Sequence, residues 1–299
     1  MHGLGLSFTT HSFFSENRLS HTLFCKTSFL VIFVKMVCLT KLFTSGLLAT
    51  SALAAPVVEK RSSGKRGAAY NDVKTVSALS NSGTVSWAYN WAMSLSGNLP
   101  TGVDFVPMLW GAKDLGGWAG TIETALSSGS KYILGFNEPD MPSQASMSPA
   151  NAANYYKNYI TPYAGKAKLI SPAVTSSTTD GMGLSWFKSF MNDCSSCQIS
   201  GLAVHWYGQS ADEFKSFVQQ AIDTAHSYNL PEVWVTEFAL NSDVNGESDP
   251  TATVNFINEV IPWLDQQEGV SRYSYFMCAE NYLLSGNTLN QAGKAYTTA

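Results

Sequence analysis

An α/β fold of the (β/α)8 TIM barrel type, in a single domain, is what the sequence predicts from Gly67 onward, and three observations predict it. Short apolar or β-branched runs recur eight times in roughly 230 residues. Amphipathic stretches of helical period fall between most of them. The runs are near-continuously apolar, the mark of parallel strands covered on both faces. A barrel of this kind usually takes about 250 residues. The structural competitor is an open doubly wound sheet, which places a glycine-rich phosphate loop after its first strand. Gly-Ala-Ala-Tyr at 67–70 is followed by no such loop.

The eight runs cover 67–70, 84–91, 104–109, 131–137, 168–174, 201–207, 232–238 and 270–277. The first rests on four residues and is the shortest. Helical stretches are expected at 118–127, 149–164, 184–192, 211–228 and 252–267, with a short closing helix within 289–296. No internal repeat, low-complexity tract or second domain interrupts the series, so residues 67–299 read as one catalytic-sized unit.

Residues 1–66 read differently. Met36 offers a second start, Lys41 precedes an apolar run over 42–53, and Ala-Leu-Ala closes it at 52–54. That is the order of a signal peptide, which makes 1–35 a mis-called start or an unusual leader and 36–54 the signal. Lys60-Arg61 and Lys65-Arg66 are dibasic processing pairs, so 55–66 reads as a pro-segment and the mature chain as beginning near Ser62 or Gly67. A membrane anchor is disfavoured, because Lys35 and Lys41 cut the apolar stretch below the ~20 residues a span needs.

The leader also distorts the charge. The whole chain is formally −4, but its first 66 residues hold eight Lys/Arg against two Asp/Glu. From Gly67 onward ten basic residues face twenty acidic ones, a net charge of −10. Nucleic acid and anionic membranes select cationic surfaces, so neither is expected as a partner. Eight Trp and 13 Tyr favour a neutral ligand that stacks on rings, bound by a monomer. Cys194 and Cys197 form a Cys-x-x-Cys that reads as a local disulfide in a secreted chain, and no second such pair completes a zinc site. No Asn-x-Ser/Thr sequon is present.

Barrels of this type carry their active sites at the C-terminal ends of the strands. The fourth run ends Gly-Phe-Asn-Glu-Pro-Asp at 135–140, the seventh Val-Thr-Glu-Phe at 235–238. Each sets a glutamate, Glu138 or Glu237, at the tip of a run that should be buried. A buried carboxylate is costly without partners or work. Two on opposite parts of one barrel mouth suit glycoside hydrolysis, which needs one carboxylic acid and one carboxylate. Asp140 and Asp180 read as loop or cap residues. No local His/Asp/Glu cluster has metal-ligand spacing, so neither metal nor cofactor is expected. Strand alternation puts His205 and Tyr207 on one face, where His205 should line the sugar site. It puts Trp206 and Trp234 opposite, under the outer helices. Trp87, Tyr89, Trp91, Trp110, Tyr207, Tyr275 and Phe276 form an aromatic set at the expected mouth.

Residues 135–140 and 235–238, with Ala-Val-His-Trp-Tyr-Gly at 203–208 and Trp-Ala-Tyr-Asn-Trp at 87–91, closely resemble family 128 of the glycoside hydrolases. These are the fungal cell-wall proteins of the alkali-sensitive linkage type, whose characterised enzymes are β-1,3-glucanases. The resemblance covers essentially all of 67–299. It implies a retaining endo-β-1,3-glucanase with Glu138 as acid/base and Glu237 as nucleophile. It also implies that Asn137 binds the hydroxyl beside the reacting carbon and that Tyr207 donates to ionised Glu237. Related barrels carry a Trp at the end of strand eight, whereas residues 272–277 read Arg-Tyr-Ser-Tyr-Phe-Met, so Tyr275 or Phe276 should floor the sugar site. A glucan-binding wall protein of low activity, or a hydrolase of β-1,6-glucan or mannan, is the alternative.

Overall fold

The computed structural model describes residues 64–299. The start, signal and processing expectations for 1–63 lie outside these residues. Eight parallel strands are present in chain order. They are β1 (Gly67–Ala69), β2 (Trp87–Tyr89), β3 (Asp104–Phe105), β4 (Tyr132–Ile133), β5 (Lys168–Val174), β6 (Ile199–Gly208), β7 (Glu232–Leu240) and β8 (Val270–Tyr275). Every expected run holds a strand, although the first four pair over only two or three residues.

The strands form two continuous pieces, β1-β2-β3 and β4-β5-β6-β7-β8. Parallel bridges join the pieces at both edges, Met108 with Leu134 and Arg66 with Tyr273. Across these seams Leu134 N donates to Pro107 O at 2.9 Å and Tyr273 N to Lys65 O at 2.9 Å. The barrel is thereby closed, which removes its open edges.

The outer ring comprises α1 (Val76–Ser80), α2 (Leu115–Ser127), α3 (Pro149–Tyr155), α4 (Gly183–Asp193), α5 (Ala211–Ser227), α6 (Asn241–Val244), α7 (Pro250–Gln266) and α8 (Gln291–Thr298). No helix stands between β2 and β3. The single helix expected at 149–164 is α3 followed by a π turn at Tyr156–Ile160 and a 3-10 turn at Thr161–Tyr163. Pro162, which lacks an N–H, falls in that last turn. Starts are capped as their residue types require: Ser148 accepts from Asn151 N, Ser210 from Glu213 N, and Asp249 from Thr251 N. Cys194 and Cys197 are disulfide-bonded just past α4, and Cys278 is free and buried. Among the described residues no helix is long and apolar enough to cross a membrane.

Two apolar clusters fill the fold. The larger packs strands against helices, and the smaller fills the barrel interior with Ala69, Trp87, Tyr89, Met108, Ile170 and Trp234 among others. Trp206 lies outside, stacked on Phe256 of α7 and edge-on to Phe214 of α5. Trp234 does not follow it. It sits inside, 5.2 Å from Trp87. The reason is a bulge, since Val204 pairs with Val235 but His205 with Glu237. One extra residue in β7 inverts the alternation, so Trp234 and Glu237 both face inward. At the strands' N-terminal ends, Arg272 stacks among Trp87, Tyr132 and Trp234, 4.8 to 5.7 Å from their ring centres.

Candidate active site

Glu138 follows the short strand β4, at the point where the chain leaves its partner β5. Asn137 bridges Ala173, Glu138 N donates to Ala173 O at 2.8 Å, and Glu138 then takes a φ of +43°. Glu237 sits in β7 beyond the bulge. Both carboxylates are nearly buried, at 6% and 5% exposure.

Their hydrogen bonds are unequal. Glu237 accepts from Trp91 Nε1 at 2.6 Å and Tyr207 O–H at 2.5 Å, while Tyr89, its hydroxyl 3.4 Å from Glu237 Oε1, donates to Thr236 O at 2.9 Å. Burial first, and then the charge of Glu237, push the Tyr89 and Tyr207 hydroxyls well above the ordinary phenol range, so both remain donors. Trp91, at a φ of +56°, turns its indole N–H onto Glu237. Glu138 meets a single side chain, His205, with Nδ1 2.9 Å from Glu138 Oε1. The same nitrogen is 3.4 Å from Glu237 Oε2, and Nε2 is 2.9 Å from Thr236 Oγ1. Burial alone lowers the basicity of His205, but Glu237, Glu138 and Asp140 outweigh it and hold the imidazole above its ordinary value.

Above the carboxylates lies a cleft of about 610 Å³, to which Trp91, Trp110, Asn137, Tyr207 and Phe276 contribute walls. Two hollows, of about 770 and 890 Å³, lie off the pair; the first shares only Tyr207 with the cleft. Asn137 donates through Nδ2 to Gln144 Oε1 at 3.3 Å, and its Oδ1 is buried without a protein partner. An unmade bond at a buried acceptor is costly, which suits a ligand hydroxyl there. Lys113 Nζ lies 3.7 Å from the centre of the Trp110 ring.

Four expected contacts lie elsewhere. Trp87 is deep in the barrel and donates to Lys65 O at 2.9 Å. Tyr89 is fully buried beneath Glu237 and reaches it only by its hydroxyl. His205, 1% exposed, lies between the carboxylates and off the cleft wall. Tyr275 points outward, where its hydroxyl bonds Asp243 and its ring packs on Phe238. Phe276, the other candidate, lines the cleft, against Trp91, Tyr207 and Tyr282. Sequence reading missed Asn71, Met141, Gln144, Val244 and Tyr282 in the cleft. They lie past strand ends, and position after a strand was the one available signal. The fold also brings ligand atoms of Glu138, His205 and Glu237 within 4.8 Å of one another. They come from β6, β7 and the loop after β4, so local spacing could not show it.

A model of the glycosyl hydrolase catalytic core matches residues 67–296. The chain belongs to that family. This glycosyl hydrolase is 44% identical to a curdlan-specific exo-β-1,3-glucanase of family 128, subgroup III, from Blastomyces gilchristii, solved with glucose. The TM-score is 0.74, covering 80% of this chain and 100% of that one. A subgroup I endo-β-1,3-glucanase from Amycolatopsis mediterranei, solved with laminaripentaose, matches at 26% identity and a TM-score of 0.67, covering 79% and 99%. Alkali-sensitive linkage protein 1 of Schizosaccharomyces pombe is 31% identical over 252 residues. The match covers 78% of this glycosyl hydrolase but 44% of the relative's own length.

Proposed function

We propose that this chain is a secreted, retaining β-1,3-glucanase of the cell wall, with Glu138 as acid/base and Glu237 as nucleophile. The observation that carries the reading is the pair itself. Oxygens of the two carboxylates lie within 4.8 Å, beside the ligand atom of His205. Retaining enzymes hold their carboxyl groups about 5–5.5 Å apart, inverting ones about 6.5–9.5 Å to admit a water. The division of labour rests on the unequal hydrogen bonds. Glu237, aimed by the Trp91 and Tyr207 donors, attacks the anomeric carbon. Glu138, with one partner and an open side, gives its proton to the glycosidic oxygen as the C1–O bond breaks. A water then attacks the glycosyl ester, its proton passes to Glu138, and Glu237 is released.

The β-1,3-linked substrate is supported by the family 128 relatives, whose structures hold glucose and laminaripentaose. Asn137 Oδ1 supplies the acceptor for the hydroxyl beside the reacting carbon, where bonds strengthen in the transition state. Trp91, Trp110 and Phe276 supply aromatic planes for the apolar faces of the sugars.

Glu138→Gln and Glu237→Gln should each lower hydrolysis of laminarioligosaccharides by ~10³-fold or more, within the range that acid-base and nucleophilic catalysis supply, while folding is kept. Near-wild-type rates in both variants would sink the assignment. Binding without turnover in the wild-type protein would make it a glucan-binding wall protein instead. Products from curdlan report the mode of attack: internal cleavage, expected from sequence, gives a spread of oligosaccharides, and terminal attack gives one short product.

A further inference from the structure

Asp140 belongs to the same loop as Glu138 and lies outside the cleft wall. It is 7% exposed and accepts three hydrogen bonds: Thr175 Oγ1 at 2.5 Å, Thr175 N at 3.2 Å and Gly183 N at 2.8 Å. All three donors stand past the end of β5 or at the start of α4. Gly183 N is one of the first N–H groups of α4, which have no partner within the helix. Met182, at the N-cap, has no side-chain hydrogen bond to offer them. Asp140 fills that place from 43 residues away. The loop is shaped for it: Gly183 has a φ of +55°, and a Cβ there would fall 2.1 Å from Ser177 O.

Glu138 needs such a fixture. Its φ of +43° is a region that is unfavourable for a residue with a side chain and persists only where the surroundings impose it. On one side Glu138 N is tied to Ala173 O. On the other side Pro139, with its fixed φ, joins Glu138 to the anchored Asp140. The acid/base thus sits on a short, stiff arm pinned at both ends to β5 and its loop.

We infer that Asp140 is the positioning residue of the acid/base, setting where the Glu138 carboxyl meets the leaving oxygen without touching the substrate. The inference rests on the acid/base reading of Glu138, and one pair of substrates tests both. From a 2,4-dinitrophenyl β-laminaribioside the dinitrophenolate departs without protonation as the C1–O bond breaks, so kcat/KM needs no placed acid, whereas laminaripentaose does need one. Asp140→Asn should lower kcat/KM for laminaripentaose roughly 10–100-fold, part of what general acid catalysis contributes. For the aryl glycoside kcat/KM should stay within about threefold, and azide, which attacks the glycosyl ester without a base, should raise kcat. Thr175→Val, which removes one donor and keeps the carboxylate, should show the same selectivity more weakly and serves if Asp140→Asn does not fold. Equal losses on both substrates, or no loss on either, would overturn the inference. Glu138→Ala is the control. If it is not selective, the acid/base reading falls and the inference with it; if it is selective while Asp140→Asn is not, the inference alone falls.

Discussion

His205 is the residue whose charge matters most, because it stands between both carboxylates with Nδ1 within 3.4 Å of each. The groups facing it are Glu138 past β4, Glu237 and Thr236 in β7, and Asp140 behind Glu138. Together they hold the imidazolium in the folded protein above its ordinary value near 6.5. The sign of the linkage follows. A raised folded value gives stability that is complete below about pH 6.5, where both states are protonated, and that is lost as pH rises through the folded value. His205→Asn should therefore cost most stability at acid pH, and its deficit should shrink as pH climbs past about 6.5. Urea melts of both proteins across that range measure it, and a deficit that grows with pH would contradict the raised value. In the double displacement proposed above, the negative charge would move from Glu237 to Glu138, and a donor shared by both could follow it without moving. The sequence showed His205 and Tyr207 on one face. It could not show that the imidazole looks down at the carboxylates and not up at a sugar, because alternation gives a face and no depth.

At the scale of elements, the site depends on how closely β4 and β5 approach. Gly135 is the reason they can. A Cβ there would lie 2.6 Å from Pro172 N and 2.8 Å from Ser171 C, backbone atoms that cannot swing aside. Gly135→Ala should force the two strands apart just before Asn137 and Glu138, costing about 1–3 kcal/mol as overpacking does. Activity should fall along with Tm. A variant with normal Tm and normal rate would show that the strands tolerate the spread. The glycine was visible in the Gly-Phe-Asn-Glu-Pro motif, but its partner strand was not. The same limit explains the other differences between sequence and structure. Eight runs were legible because buried parallel strands are apolar throughout. The parity of Trp234 was not, because a one-residue bulge depends on pairing with β6 and leaves no mark in β7 alone. Tyr275 and Phe276 are adjacent, and which of them entered the cleft turned on where β8 ends, a boundary that pattern does not fix.

At the scale of the whole molecule, barrel closure draws in residues that precede Gly67. Lys65 and Arg66 are part of the folded unit. Lys65 Nζ donates to Leu264 O, Asp265 O and Gln267 O at 3.3, 3.1 and 2.7 Å, carbonyls clustered at the C-terminal end of α7. Arg66 is 4% exposed and donates to Tyr273 O–H at 3.1 Å, Ala299 O at 3.2 Å and the carbonyl of Tyr296, with Asp265 as its ion pair at 3.2 Å. The two residues thus seam β1 to β8 and fasten α7 and α8 to the barrel floor. A processing enzyme needs an extended, accessible dibasic pair, and this one is folded in. Of the two pairs read from sequence, Lys60-Arg61 is then the site that leaves an intact barrel, and the mature chain should begin at Ser62. N-terminal sequencing of secreted protein measures this directly, and a start at Gly67 would contradict it. Proteins made to begin at Ser62 and at Gly67 supply the energetic counterpart. The second loses a buried, paired guanidinium and strands its partners, a change that costs about 3–5 kcal/mol in other buried pairs. Arg66→Ala in the longer protein should lose a comparable amount, because the clamp and not the extra length holds the seam.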